Sequence, residues 1–263
     1  MTLSRLRLVA ITIAPSRTMR FDLETVIVHG SDEWYGAREG MTIGSSSAGS
    51  VFNGIVHGSA RRELIRTFQG IPKPAPSDYS QSVMNQGHAM EPWLAHELTK
   101  WFVVISSNLY RMPELTHGVQ EISTPDRIVL LPTERGVRLA LAEIKWRPTS
   151  PDDCGWGPAR DRLSLGVWCQ VQHQMEVTGI HAALVYSGSP AGNRRMWSVR
   201  YCPEFRPYWL DALKACVDDA QFDSHGHCEV RLGRWMASTS RLEFMAIPRD
   251  DDIEEIKGGA VEE

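Results

Sequence analysis

The sequence contains no apolar run approaching the roughly 18 to 20 residues that a membrane span needs, and a membrane role is not expected. Its opening, MTLSRLRLVAITIAPSR, sets basic residues before a short apolar stretch but lacks a small-x-small cleavage site, so export is not expected either. Cysteine is scarce. The five present (Cys154, Cys169, Cys202, Cys216, Cys228) are odd in number and show no paired spacing. That argues against a disulfide framework or an iron–sulfur cluster and suits a reducing cytoplasm. The segment His225-Gly226-His227-Cys228 crowds three soft ligands together, but no second cluster stands at zinc-site spacing, so a metal-free loop is the expectation.

A surplus of positive charge is also missing, since the net charge is −4. On that count alone a nucleic-acid partner looks disfavoured, because phosphate neutralisation needs Lys and Arg. The deficit is local, however. Residues 250–263 hold seven acids and one base, a net of −6, which leaves the rest of the chain at +2. A DNA track on the body of the protein therefore stays open, and the acidic tail is expected to be disordered. At 263 residues, with 42% hydrophobic content, the chain can bury one full core. We read residues 1–30 as a segment of uncertain structure, 31–249 as one domain and 250–263 as tail.

The most informative stretch is EISTPDRIVLLPTERGVRLALAEIKWRP, from Glu121 to Pro148. Arg127–Leu131 and Val137–Lys145 read as two strands, with turn chemistry from Pro132 to Gly136. Alternation puts Val137, Leu139, Leu141, Glu143 and Lys145 on one face, which begins as core and ends as a charged pair. In an antiparallel hairpin Asp126 comes close to Glu143. Two carboxylates and the Ile144 carbonyl then offer oxygen ligands to a hard cation beside a phosphodiester. Lys145 is placed to position the attacking water or offset charge on the phosphate. A solvated salt bridge at a strand end is the plainer alternative.

Other segments are ambiguous in the same way. Ser31 caps a short helix carrying Trp34 and Arg38, and Ser45-Ser46-Ser47 caps a second one through Phe52. Arg38 and Ser45 could form a phosphate cradle or an ordinary helix corner. SARRELIRTFQ reads as a helix, IPKPAPSD as a loop, and the segment from Gln86 to Phe102 as a helix whose Pro92 belongs in its first turn. Glu91 on that helix is either a metal-site acid or a first-turn partner of the dipole. In LGVWCQVQHQMEVTG, Gln170 and Gln174 lie on an otherwise apolar face, serving either a core network or the carboxylate site. Strands are expected at 181–186 and 197–201, the second after a loop carrying Arg194 and Arg195, and a helix at 207–220.

Four blocks taken in order, EWYGAREGMTIGSSSAG, GHAMEPWLAHEL, the pair TPDRIV and LAEIKW, and WCQVQHQMEVTG, resemble the lambda-exonuclease or YqaJ-like group of phage recombination nucleases. That group lies within the restriction-endonuclease-like superfamily. The resemblance implies an α/β core, a mixed sheet flanked by helices. It makes Asp126 and Glu143 the metal ligands, Lys145 the catalytic lysine, Glu91 and Gln170 the supporting acid and glutamine, and Arg38 and Ser45 the holders of a 5′-phosphate. It further implies Mg²⁺, with Mn²⁺ able to substitute, and 5′→3′ digestion of linear duplex DNA in a phage or bacterial cytoplasm. The implied partners are DNA ends, a single-strand annealing protein and two further copies in a homotrimer. The resemblance breaks directly after Asp126, where Arg127 replaces the usual glycine. The rival readings are an endonuclease of the same superfamily, a non-catalytic DNA-end-binding protein, and an RNA-processing nuclease. The last ranks lowest, because no stacking platform for single strands is evident.

Overall fold

The computed structural model describes Ile27 and residues 31–38, 40–52, 59–133, 136–147, 163–192, 194–222 and 253–255. The expected zinc-free loop at 225–228 and nearly all of the N-terminal segment lie outside them.

The core is a six-stranded mixed sheet. It contains β2 (Val103–Ser106), β5 (Arg127–Thr133), β6 (Gly136–Trp146), β7 (Ala182–Gly188), β8 (Arg194–Arg200) and β9 (Ile253–Glu255), in the order β2-β5-β6-β7-β8-β9. Only β6 and β7 run parallel within it, joined through α4 (Leu165–Thr178), while the other neighbours are antiparallel. A smaller sheet sets β4 (Gln120–Ser123) between β1 (Thr42–Gly44) and β3 (Tyr110–Arg111).

The expected hairpin is present, with Arg127 opposite Ala142 and Thr133 opposite Gly136. β5 runs on through Pro132, which had been assigned to the turn. Pairing with β2 ends at Leu130, so Pro132 sits where one side of β5 has no ladder to lose. β9 falls inside the acidic tail and pairs with β8, so those three residues depart from the expected disorder.

The two faces of β6 feed separate cores. Ala140, Ala142 and Ile144 pack with Leu94, Ala95 and Leu98 of α3 (Asp78–Leu98) on one side. On the other, Leu141 joins Val171, Met175 and Trp168 of α4, together with Trp209 and Leu213 of α5 (Phe205–Phe222). The same core takes in α2 (Ala60–Phe68) and a 3₁₀ helix, Ser45–Val51, where a regular helix had been expected. The short α1 (Asp32–Gly36) is capped by Ser31, whose side chain accepts the Trp34 N–H.

The helix α3 begins eight residues earlier than expected, capped by Ser77, so Pro92 lies in its interior rather than its first turn. The missed portion, residues 78–85, is largely exposed and has no apolar stripe to announce it. Among the described residues no helix is long and apolar enough to cross a membrane.

Candidate active site

The strand β6 delivers Glu143 and Lys145 onto one face by simple alternation, just past Ala142, the residue opposite the start of β5. Glu143 is 3% exposed. Its Oε1 accepts from Lys145 Nζ and, at 2.6 Å, from Gln170 Nε2, while its Oε2 accepts from Gln174 Nε2 at 2.6 Å. Two glutamines four residues apart on α4 thus grip the two oxygens of one carboxylate, which fixes its orientation. The buried-network reading of the glutamines and the carboxylate-site reading are the same contact.

Asp126, just before β5, receives the Ile144 backbone N–H at 2.6 Å. A strand residue points its N–H and C=O toward the same edge, so the Ile144 carbonyl faces the Asp126 side of β6 as well. Burial, then the neighbouring Glu143 and Glu91 carboxylates, push the Asp126 carboxyl well above the usual range, against the pull of Lys145 and the Ile144 N–H. Asp126 and Glu143 therefore stand side by side, and Glu91 lies near enough for its charge to act on Asp126. Glu91 also pairs with Arg127 Nη1 at 3.0 Å, and the same nitrogen donates to the Asp126 backbone carbonyl. Arg127, the anomaly of the sequence, ties α3 to the start of β5, directly after Asp126.

Asp126, Glu143 and the Ile144 carbonyl form an all-oxygen donor set, and the mutual repulsion recorded at Asp126 is what a hard cation would relieve. Among the described residues no group of three or more His, Cys, Asp or Glu side chains stands close enough together to hold a metal ion, so the oxygen donors available are the two carboxylates and the backbone carbonyl.

Arg38 and Ser45 lie at a second location. The Arg38 guanidinium stacks 4.2 Å from the Trp34 ring centroid, and a Cβ on Gly44 would meet its Nη2 at 2.8 Å. Partial burial lowers its pKa. Trp34 Nε1 donates to Thr124 Oγ1 at 3.2 Å, which anchors this corner two residues before Asp126. Ser45 is 5% exposed and engaged internally, with its Oγ 2.8 Å from His173 Nδ1 and 3.4 Å from the Ile122 carbonyl.

Behind Ser45 is a cluster that sequence reasoning missed. Glu121 on β4 is fully buried, accepts from Arg206 Nη1 at 2.6 Å and Nη2 at 2.8 Å and from the Thr116 hydroxyl, and faces His173 Nε2 at 3.1 Å. Burial pushes its carboxyl up, but the hydrogen bonds and charges of His173 and Arg206 outweigh that and hold it at about 2. Glu121 and Arg206 are 85 residues apart, so no local spacing could have joined them. The one available signal was an acid between Val119 and Ile122 in a short strand-like segment.

The mixed sheet, the flanking helices and carboxylates at the end of a β-hairpin define a restriction-endonuclease-like α/β fold. It is the fold of an alkaline exonuclease from Laribacter hongkongensis, with a TM-score of 0.52 and 17% identity over 81% of this chain and 100% of that one. The same enzyme in complex with dAMP aligns with a TM-score of 0.50 and 16% identity over the same shares. These neighbours bear out the sequence resemblance at the level of fold. No family model and no curated protein sequence matches the chain.

Proposed function

We propose that this protein is a divalent-metal-dependent deoxyribonuclease that digests one strand of linear duplex DNA from a 5′ end and leaves 3′ single strands for annealing. The observation that carries the proposal is the hold on Glu143 by Lys145, Gln170 and Gln174 beside Asp126, within the fold of an exonuclease.

In this reading Asp126, Glu143 and the Ile144 carbonyl hold Mg²⁺. The bound ion supplies a more acidic water and neutralises charge on the phosphate. Lys145 Nζ, already fixed against Glu143, holds the attacking water in line and offsets negative charge as the phosphorus–O3′ bond breaks. Gln170 and Gln174 keep the Glu143 carboxylate in register, and Glu91 adds negative charge to the site under restraint by Arg127. Arg38 and Ser45 receive the terminal 5′-phosphate and so set the polarity. A single-strand annealing protein and a homotrimeric assembly are the partners that the family likeness supports.

The test is a digestion time course on end-labelled linear duplex with and without Mg²⁺. Loss of label from the 5′ end, abolished by EDTA and by Lys145→Ala with DNA binding retained, is the expected result. Unchanged digestion by Lys145→Ala would sink the mechanism, and rapid cutting of a closed circle would replace exonuclease with endonuclease.

A further inference from the structure

The adjacent arginines that the sequence places in a loop begin β8 instead, and strand alternation sends them to opposite faces of the sheet. Arg194 joins the α3 side. Its Nε donates to Glu97 at 2.8 Å and its guanidinium lies 4.5 Å from the Trp93 ring centroid, so this cation is committed to holding α3 on the sheet. Arg195 goes to the α4 side. Register fixes its neighbours there, since Arg195 stands opposite Ser187 on β7 and Ser187 stands opposite Lys145 on β6. One row inward on the same face come Glu143, Val185 and Trp197, and the last two belong to the core that α4 closes.

Lys145, Ser187 and Arg195 therefore form the final row of this face, at the end of the sheet where Asp126 and Glu143 stand. Its outer members are cations with access to solvent. Lys145 is 23% exposed and Arg195 is partly exposed. Ser187 between them is 6% exposed, and its hydroxyl makes no hydrogen bond among the described residues. Two cations flanking an unengaged hydroxyl on a rigid floor make a site for an anion with several oxygens.

We infer that Arg195, helped by the Ser187 hydroxyl, binds the phosphodiester next to the scissile one, so that the DNA strand crosses the end of β7 from Lys145 toward Arg195. The inference rests on the nuclease reading of Asp126, Glu143 and Lys145. Two strand spacings, roughly 9.5 Å, separate the backbones of Lys145 and Arg195. The long arginine side chain closes part of that gap. Its guanidinium can grip two phosphate oxygens at once, whereas the lysine presents a single point of charge. The lysine thus serves the reacting phosphate, and the arginine keeps the strand from sliding past it. Contact through a phosphate carries no base information, so the grip is independent of sequence.

The experiment measures binding of a labelled linear duplex in EDTA by fluorescence anisotropy over a salt series, beside initial cleavage rates in Mg²⁺. Arg195→Gln should bind roughly tenfold more weakly and flatten the log–log salt slope by about 0.7 to 0.9, the loss of one phosphate contact. Arg195→Lys should keep the slope and lose part of the affinity. Arg194→Gln, on the far face, should keep the wild-type slope. The substrate offers a probe that leaves the protein untouched: an uncharged methylphosphonate placed at one linkage at a time. At the linkage beside the cut it should slow the wild type and cause no further loss in Arg195→Gln. Wild-type affinity and slope in Arg195→Gln, or additive losses at every linkage, overturn the inference, and the nuclease reading stands if Lys145→Ala still abolishes cleavage. Weaker binding and a flatter slope in Arg195→Gln, with no Mg²⁺-dependent cleavage by wild type, overturn the nuclease reading and leave the DNA contact of Arg195 standing.

Discussion

Replacing Arg206 with Met removes the guanidinium from Glu121 while keeping a long apolar stem against Trp209, and the cost follows from the burial of that carboxylate. Glu121 has 0% side-chain exposure and Arg206 16%, so solvent does little to screen the pair. Burial alone would raise the Glu121 carboxyl, yet His173 and Arg206 bring it from 4.5 down to about 2. That gap is worth about 3 kcal/mol of folding stability. That gap is the joint work of His173 and Arg206; removing Arg206 forfeits its share and leaves the buried charge half paired, and breaking a buried pair from one side costs about 3 to 5 kcal/mol. The folded-state value lies below the unfolded one. The contribution is therefore complete above about pH 5 and is lost as pH falls toward 2, with about 2 kcal/mol disappearing between pH 5 and pH 3. Urea unfolding followed by circular dichroism at pH 7, 5 and 3.5 measures both consequences. Arg206→Met should be about 3 kcal/mol less stable at pH 7, melt roughly 6 to 12 °C lower, and show a shallower acid decline than wild type. A variant within about 1 kcal/mol of wild type at pH 7, with a parallel acid decline, would refute the reasoning.

Three further outcomes test the site itself. Gln174→Leu leaves Oε2 of Glu143 without its amide donor and should lower activity roughly 10- to 100-fold with little change in melting temperature, read by initial rates and thermal unfolding. Gly44→Ala places a methyl 2.8 Å from the tip of the Arg38 side chain, which can swing away. The fold should therefore survive while preference for 5′-phosphate ends falls to the level of Arg38→Ala in end-specific rate assays. Arg127→Ala should change stability by less than about 1 kcal/mol, because both partners of its ion pair are about one quarter to one third exposed. It also frees Glu91, so half-maximal activity should need several-fold less Mg²⁺ in a metal titration.

Legibility in the sequence followed the range of the interaction. Glu143, Lys145 and the apolar face of β6 were readable, because strand alternation is local and its break from Leu141 to Glu143 marks a change of environment. Gln170 and Gln174 were readable as buried amides in need of partners, since one helical turn separates them, though the shared partner on β6 was not named by their own segment. The first two turns of α3, residues 78–85, were not readable: that stretch packs no stripe against the core, so its helicity rests on the Ser77 cap and intrinsic preference. Glu121, His173 and Arg206 were hidden for another reason. His173 and Arg206 each meet Glu121 only through the tertiary fold, brought together from β4, α4 and α5, so no local pattern marked them.

The helix α4 relates the two places where DNA would be held. Gln170 and Gln174 address Glu143, and His173, on the adjacent stripe of the same helix, addresses Ser45 and Glu121. Nearly every residue of α4 is buried, so it cannot rotate to improve one set of contacts without loosening both. Gln172 adds a further restraint by donating to the Arg200 carbonyl at 2.7 Å and accepting the Cys202 N–H at 2.8 Å. If Ser45 receives the terminal phosphate and Glu143 serves the scissile one, their separation is set by the body of one immobile helix. The size of the released product should then be constant. A variant that loosens α4 at Gln172, such as Gln172→Ala, should blur the product from mononucleotides into a mixture on a sequencing gel before it slows the first cut. Unblurred products from a slower enzyme would show that α4 supports the fold without setting the step.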